Sequence, residues 1–231
     1  MLLLAIDTSG KNGSIALART TPGQSDVEIV EILPLTGGAF SAQLVPQIAT
    51  LLGKHKYSKT DLEAFAVANG PGSFTGLRVG LAAIKALAEA LQKPIVAISL
   101  LEAIASVAWN SAESRAAGSR VLAAMDAGRG DIYVGDYELA PQLCMHSERL
   151  LSREELVAVA NGKTIVTPDA GLAETVRAAG IPVERIEYPG SAVIAGLGWE
   201  HLQRGQTVRP EELEANYIRD SDAEIFSKPK A

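Results

Sequence analysis

A hairpin pattern of apolar segments occurs twice in this 231-residue chain and constrains its fold more than any other feature. Leu2 to Asp7 and Ser14 to Arg19 are short apolar segments, joined by turn residues that include two glycines and an asparagine. The same order of strand, aspartate, glycine turn and strand returns at Val121 to Asp126 and Asp131 to Tyr137. The two copies share a pattern and not an identity of residues. We therefore expect two strand-rich halves that each contain an antiparallel hairpin.

Further strands and helices complete the first half. Asp26 to Leu33 predicts a third antiparallel strand, and the spacing of apolar residues predicts a helix from Ala42 to Lys54, capped by Ser41. The remaining predicted elements of this half are a strand at Ala64 to Ala68, a helix at Thr75 to Leu91, a strand at Ile95 to Ile98 and a helix from Ser99 to about Asn110.

A stretch rich in alanine, serine and glycine, Ala112 to Ser119, is the predicted boundary between two lobes. We expect an N-terminal lobe over residues 1–110 and a C-terminal lobe over residues 111–231. In the second lobe a capping box predicts a helix that begins after Ser152. The other predicted elements are a strand at Thr164 to Thr167, a helix at Asp169 to Ala179 and a helix at Ala192 to Arg204.

Charge and composition argue against several classes of protein. Asp and Glu number 27 against 21 Lys and Arg, and this net charge of −6 argues against gripping nucleic-acid phosphates by bulk charge. The longest apolar runs fall far short of the ~18 residues that a membrane span needs. The single cysteine, Cys144, and three widely spaced histidines match no disulfide framework and no metal-ligand pattern. We therefore expect a reducing, cytoplasmic compartment and no metal site.

The most distinctive segment is the glycine-rich run Gly70 to Gly76. Glycines before a helix N-terminus favour anion binding, because free amides and the helix dipole attract negative charge. The run is not a P-loop, since no lysine follows Gly76, and it lacks the glycine at Thr75 that the dinucleotide fingerprint needs. It is not a nucleophile elbow either, because that motif needs glycine at Pro71 and Thr75. A sharp strand-to-helix turn that carries helix caps is the alternative interpretation.

The turn after the first strand is a second candidate site, formed by Asp7, Thr8, Ser9 and Gly10. Backbone amides and hydroxyls in a tight turn bind phosphate oxygens, and a neighbouring aspartate can hold a magnesium-bound water. A plain hairpin turn explains the same residues, because aspartate and glycine populate turns for backbone reasons. No serine, histidine and carboxylate set points to a catalytic centre, so we name no catalytic residue.

Several segments together resemble the bacterial TsaB (YeaZ) family. They are Leu4 to Ser9, Gly70 to Gly80, Ser99 to Ala105 and Val121 to Tyr133, with a weak continuation at Tyr217 to Arg219. The glycine segment is highly specific, whereas the last third of the chain resembles the family mostly in length and pattern. The residues of that motif are Gly70, Pro71, Gly72, Ser73, Phe74, Thr75, Gly76 and Arg78.

The resemblance implies an α/β chain with the actin-like ATPase and sugar-kinase (ASKHA) fold, in two lobes with duplicated strand-rich halves and a reduced second lobe. It also implies a non-catalytic accessory role in making threonylcarbamoyladenosine at position 37 of tRNA. Such a chain binds and activates a TsaD-like transferase, works with a TsaE-like ATPase, forms a homodimer when alone and meets tRNA only indirectly. Phe40 stands where many members have a histidine, which weakens any expectation of metal chemistry.

Nucleotide and partner contacts follow from the same resemblance. No cofactor is required by the chain itself, and ATP or ADP with Mg is expected at most near the partner interface, with Asp7 to Gly10 as the nearby residues. The helices of the first lobe form the expected interface, because their many glycines and alanines allow close helix packing. The expected contact residues are Leu44, Ile48, Leu51, Gly76, Gly80, Ala83, Ala86, Leu87 and Ala90.

Two rival functions are weighed against this one. The first is an autonomous ATP-dependent kinase or carbamoyltransferase of the actin-like fold, acting between the hairpins of Asp7 and Asp126. The short second lobe counts against it, as does the lack of a clear adenosine-binding glycine pair, since Gly196 and Gly198 fall within a predicted helix. The second rival is a peptidase, for which the sequence offers no nucleophile or metal set.

Overall fold

The computed structural model describes residues 1–20, 27–111, 119–139 and 143–218 of the chain. Its strands form two five-stranded sheets of mixed direction. The chain divides into two units, of which the first contains Met1–Ala103 and Pro189–Ala215 and the second contains Ile104–Tyr188 and the chain from Asn216 onward. None of the described helices is both long enough and apolar enough to cross a membrane.

The first sheet has the strand order β3-β2-β1-β4-β5. Antiparallel pairing joins β1, β2 and β3, whereas β4 and β5 continue the sheet in parallel with β1. Every residue of β1 is buried, as expected for the central strand of a covered sheet. The elements are β1 (Leu2–Asp7), β2 (Gly13–Arg19), β3 (Glu28–Leu35), α1 (Phe40–Lys54), a short 3-10 helix (Lys59–Asp61), β4 (Ala64–Gly70), α2 (Phe74–Leu91) and β5 (Ile95–Ser99).

The second sheet repeats this topology, with the strand order β10-β9-β6-β7-β8. Strands β6, β7 and β8 pair antiparallel, and β9 and β10 extend the sheet in parallel with β6. Helices α4 and α5 have 7 and 9 residues, against 15 and 18 in α1 and α2. The elements are β6 (Ser119–Gly128), β7 (Asp131–Leu139), β8 (Leu143–Ser152), α4 (Arg153–Val159), β9 (Thr164–Thr167), α5 (Ala170–Ala178) and β10 (Val183–Arg185). The expectation of two duplicated halves, with the second reduced, agrees with this repeat.

The third helix of the second repeat packs on the sheet of the first repeat, and the third helix of the first repeat is divided between the two units. In sequence α3 (Leu100–Ser111) follows β5 and α6 (Ser191–Gln203) follows β10, with a short 3-10 helix (Pro210–Glu212) after α6. Helix α6 packs on β1, β2, β4 and β5 of the first sheet. The chain from Ile104 groups instead with the second unit. The two units therefore differ from a simple division between residues 110 and 111, because long-range packing of α6 adds residues 189–215 to the first.

Most predicted elements lie within a few residues of their expected bounds. Both hairpins, the third strand, helix α2 and the capping box at Ser152 are confirmed. The predicted cap at Ser41 is wrong, because α1 begins at Phe40 after Ala39, which makes no side-chain cap hydrogen bond. Of the predicted boundary, residues 112–118 lie outside the described residues.

Candidate functional site

The turn after β1 is closed by its own aspartate. Asp7 is buried, and its Oδ1 accepts hydrogen bonds from the Ser9 amide at 2.8 Å and the Ser9 hydroxyl at 2.5 Å. Burial raises the pKa of the Asp7 carboxyl above its ordinary value, and the hydrogen bonds from Ser9 offset only part of that effect. The arrangement holds the turn in one shape and leaves the carboxyl in a poorly solvated setting.

The two residues after Asp7 are fixed against the glycine-rich segment. The Thr8 hydroxyl donates to the Gly76 carbonyl at 2.8 Å, and the Ser73 amide donates to the Ser9 carbonyl at 2.7 Å. Both Thr8 and Ser9 are buried. These bonds join the turn of the first hairpin to the start of α2, so the turn and the helix form one structural unit.

Three glycines at intervals of four residues make this contact possible. A Cβ added at Gly76 would lie 2.1 Å from the Thr8 carbonyl oxygen, and one at Gly80 would lie 2.4 Å from the Thr8 hydroxyl oxygen. A Cβ at Gly72 would lie 2.5 Å from the Ser9 carbonyl oxygen. All three distances are shorter than a carbon can tolerate, so any larger residue would push the turn away from α2.

The glycine segment is a strand-to-helix turn that carries a helix cap. Gly70 ends β4, Pro71 follows it, and Ser73 is the N-cap of α2 with its hydroxyl accepting the Gly76 amide at 3.3 Å. On the outer side of the same first turns, the Arg78 guanidinium stacks 3.7 Å from the centre of the Phe74 ring. The segment therefore has the geometry that the alternative interpretation expects, and anion binding at it stays a prediction.

A cavity of about 230 Å³ lies beside this turn. Gly10 and Lys11 line it from the first hairpin, and the first residues of both α1 and α2 line it from the helices. Helix N-termini and a lysine ammonium both favour an anion, so the chemistry of the walls suits a phosphate or a carboxylate. Phe40, at the start of α1, and Val79 on α2 are the larger apolar residues of the lining. The predicted nucleotide-proximal residues thus divide, with Asp7 to Ser9 buried in the fold and Gly10 at the cavity.

The second hairpin also carries a hydrogen-bonded aspartate, two residues before the end of its first strand. The Asp126 amide donates to the Asp169 carboxylate at 2.7 Å, and the Asp126 carboxylate accepts the Gly128 amide at 2.9 Å. Asp126, Asp169 and Arg153 line a cavity of about 410 Å³ in the second unit. Throughout the described ranges, no three His, Cys, Asp or Glu side chains come together in a group that could hold a metal ion.

Most of the expected interface residues are buried in the structure. Leu44, Ile48 and Leu51 are buried in the core of the first unit, because the apolar stripe of α1 faces its own sheet. Gly76 and Gly80 are buried against Thr8. These five residues are buried within the first unit and offer little surface to a partner. Of the others, Ala83 and Leu87 are half-buried against the core, whereas Ala86 and Ala90 are exposed.

The exposed sides of α1 and α2 form a surface that shares only Ala86 and Ala90 with the contact residues expected from the sequence. The two helices are neighbours in the fold. Val45 on α1 is 59% exposed, and Phe74 on α2 is 39% exposed. No charged residue occurs on α1 before Lys54. We use the name α1–α2 face for a set of exposed residues on the two helices, which are Ala42, Val45, Ala49, Phe74, Arg78, Ala82, Ala86 and Ala90.

Comparison with known proteins gives the family. A family model described as TsaD, tRNA N6-adenosine threonylcarbamoyltransferase, matches residues 34–161, more than half of the chain. The tRNA threonylcarbamoyladenosine biosynthesis protein TsaB of Escherichia coli (strain K12) is 28% identical over 96% of this chain and 96% of its own length. The protein of the same name from Bacillus subtilis (strain 168) is 36% identical over 60% of this chain and 56% of its own length.

Solved structures agree with that assignment. YeaZ from Pseudomonas aeruginosa superimposes with a TM-score of 0.71 at 28% identity, covering 93% of this chain and all of the other. A second P. aeruginosa structure, described as an uncharacterized protein with similarity to peptidase YEAZ, gives a TM-score of 0.73 at 26% identity, with 94% and 99% of the chains covered.

A ROK family protein from Streptococcus pneumoniae TIGR4 superimposes with a TM-score of 0.51 at 11% identity, over 89% of this chain and 99% of the other, which shows a shared fold alone. With the repeated sheet topology, these comparisons confirm the α/β, ASKHA-like fold in two lobes. The chain belongs to the family of the TsaD model and, within it, to the TsaB (YeaZ) proteins of tRNA threonylcarbamoyladenosine biosynthesis.

Proposed function

We propose that this chain is a non-catalytic partner subunit in threonylcarbamoyladenosine synthesis, and that it docks a TsaD-like transferase through the α1–α2 face. The observation that carries the proposal is the exposed, uncharged surface of α1, which presents Val45 at 59% exposure between small residues. Small side chains let two helices approach closely, and a depletion of charge is typical of the centre of an interface. The TsaE-like ATPase belongs to the same proposed assembly.

Arg78, the charged residue of the α1–α2 face, has a geometry that suits it to anchor an interface. Arg78 is held over the Phe74 ring, so its guanidinium presents a flat, partly ordered surface at the edge of the alanine stripe of α2. Arginine and aromatic residues are the types that most often dominate binding energy at protein interfaces. The same surface would pair two copies of this chain when the transferase is absent.

The turn at Asp7 supports an accessory role more than acid–base chemistry. Thr8 and Ser9 are buried, and the polar groups of Asp7 to Ser9 bond to each other and to the start of α2. Through α2 this turn positions the α1–α2 face. The net charge of −6 favours an indirect encounter with tRNA, since a phosphate backbone is bound through lysine and arginine.

Val45→Glu tests the proposed interface. A charge buried at the contact without a partner costs several kcal/mol, so we expect binding to a TsaD-like subunit to weaken by about a hundredfold or more. The control is Val157→Glu on α4, which makes the same substitution at a valine that is 46% exposed. Gel filtration of the mixed subunits measures the complex, and the thermal midpoint of each variant checks its folding.

Modification of tRNA is the second measurement. Mass spectrometry of nucleosides should show that synthesis by the partner enzymes depends on this chain. The Val45→Glu variant should fail to support synthesis, whereas the Val157→Glu variant should support it as the unmodified chain does. A heterodimer that forms equally well with both variants would overturn the docking surface. Equal modification with and without the chain would overturn the proposed function itself.

A further inference from the structure

A groove of about 690 Å³ lies at the other end of α2, away from the Asp7 turn. One wall is the last two turns of α2 with Lys85, Glu89 and Lys93, and the other is the segment from Thr207 to Glu211. We call this the α2 groove. All of its lining belongs to the first unit, and none of it belongs to the α1–α2 face.

Both walls of the α2 groove are anchored to the core. The Lys93 amide donates to the Ala88 carbonyl at 3.1 Å, which fixes the chain where α2 ends. On the opposite wall the Val208 amide donates to the Ile95 carbonyl at 2.9 Å, as a single bridge to the edge of β5. Leu213, just beyond this wall, is buried in the core. The groove is therefore formed before any ligand arrives.

The two lysines of the groove lack partners. In the described ranges three lysines are half-buried, and one of them, Lys163, forms an ion pair with Asp136 at 2.8 Å. The other two are Lys85 and Lys93, whose side chains make no hydrogen bond or ion pair with any described residue. Each of these ammonium groups is free to pair with a carboxylate, so a ligand that brings negative charge to both gains two charge-assisted hydrogen bonds.

The other charged residues of the groove limit which class of ligand can bind there. Arg209 is occupied by Glu211 at 3.2 Å and by Glu212 at 2.6 Å. With Glu89 on the α2 wall and Glu211 opposite, a continuous row of phosphates would meet carboxylates on both sides. Apolar positions such as Val208 lie among the polar ones and can pack against the body of a peptide. These features favour separate carboxylates on a peptide over a nucleic-acid backbone.

We propose that the α2 groove binds an extended acidic peptide segment of a partner protein, with two carboxylates that pair with Lys85 and Lys93. Lys85 and Lys93 are eight positions apart, which corresponds to about 12 Å at the rise of a helix, and α2 covers this interval as far as Leu91. An extended chain covers that distance in about four residues, and residues four apart point to the same side of a strand. The recognised pattern is thus acidic residue, three others, acidic residue.

Fluorescence anisotropy with a defined peptide tests the inference. The probe is a fluorescein-labelled heptapeptide, Gly-Glu-Ala-Pro-Ala-Glu-Gly, whose proline prevents a helix, and the control probe carries Gln at both Glu positions. At about 50 mM salt, where charge pairing is weakly screened, we expect binding with a Kd below about 1 mM. The Lys85→Gln/Lys93→Gln variant should bind about tenfold more weakly, and the Gln probe should bind as weakly as that variant.

The matched control is Lys56→Gln/Lys59→Gln, which removes two exposed lysines outside the groove. This variant should bind the peptide as the unmodified chain does, and so should Val45→Glu, because the groove is separate from the α1–α2 face. Equal weakening in both lysine pairs, equal binding of the Gln probe, or no saturable binding would overturn the inference. Labelled tRNA that binds through Lys85 and Lys93 while the peptide does not would overturn it in favour of RNA. Thermal midpoints exclude unfolding as the cause of any loss.

Discussion

Replacing Gly76 with alanine should damage the junction between the Asp7 turn and α2. The new Cβ would lie 2.1 Å from the Thr8 carbonyl oxygen, and the Thr8 hydroxyl is itself bonded to the Gly76 carbonyl at 2.8 Å. Since the atom that the Cβ meets belongs to the backbone, it cannot turn away as a flexible side chain could. The turn or the helix must therefore shift by more than an ångström, and the hydrogen bond between them is lost.

The expected loss of stability follows from three effects. Overpacking of a well-packed site costs about 1–3 kcal/mol, and contact with a rigid backbone carbonyl belongs at the upper end of that range. The lost hydrogen bond costs about 1 kcal/mol. Alanine recovers up to about 1 kcal/mol because it is a better helix former than glycine. The net loss is about 3 kcal/mol, which for a chain of this length lowers the thermal midpoint by about 6–12 °C.

Gly53→Ala on α1 is the matched control, because nothing lies within 4 Å of a Cβ added there. It should raise stability by about 0.5–1 kcal/mol through helix propensity alone. Thermal unfolding followed by circular dichroism compares both variants with the unmodified chain. A Gly76→Ala midpoint equal to or above that of the unmodified chain would refute the reasoning, since it would mean that the close approach to Thr8 is not required.

Two further predictions use the same kind of measurement. In α6, Gly198→Ala should destabilise the chain by about 1–2 kcal/mol, because the new Cβ would lie 2.5 Å from the Ala66 Cβ. Gly196→Ala should stabilise the chain by up to about 1 kcal/mol, because nothing lies within 4 Å of a Cβ added there. Changes of the same sign in the free energy of urea unfolding would contradict this. The raised pKa of Asp7 means that the folded chain keeps a proton that the unfolded chain loses near pH 4, so Asp7 lowers the free energy of unfolding as pH rises from about 4 through the folded pKa. Asp7→Asn should lack that decline, and urea midpoints that fall equally with pH in both proteins would disprove it.

Local patterns predict most of the fold because turns, caps and apolar periodicity act over a few neighbouring residues. Strand β9 lies where the sequence places it, and α4 begins after its capping box. The sequence does not predict β8 (Leu143–Ser152), since this edge strand buries only Leu151 fully and shows no regular alternation of apolar and polar residues. It also does not predict β10, whose three residues are too few for a pattern.

The candidate site depends on contacts that no local pattern contains. Leu44, Ile48 and Leu51 have the spacing of an apolar helix face, and that spacing is the same whether the face meets its own sheet or a partner. The interval of four residues between the glycines at 72, 76 and 80 is visible in the sequence. The turn that they contact is not, because Thr8 precedes Gly76 by 68 residues.

The placement of α6 has a consequence for the order in which the chain is completed during synthesis. The first unit needs Pro189–Ala215, and the amide of Ser191 donates to the Ser14 hydroxyl at 3.0 Å across 177 positions of sequence. Domains generally form as they leave the ribosome, N-terminal segments first. Here the first strands need a helix that follows them by more than 170 residues, so the unit whose synthesis begins first cannot be completed until residues 189–215 have been made.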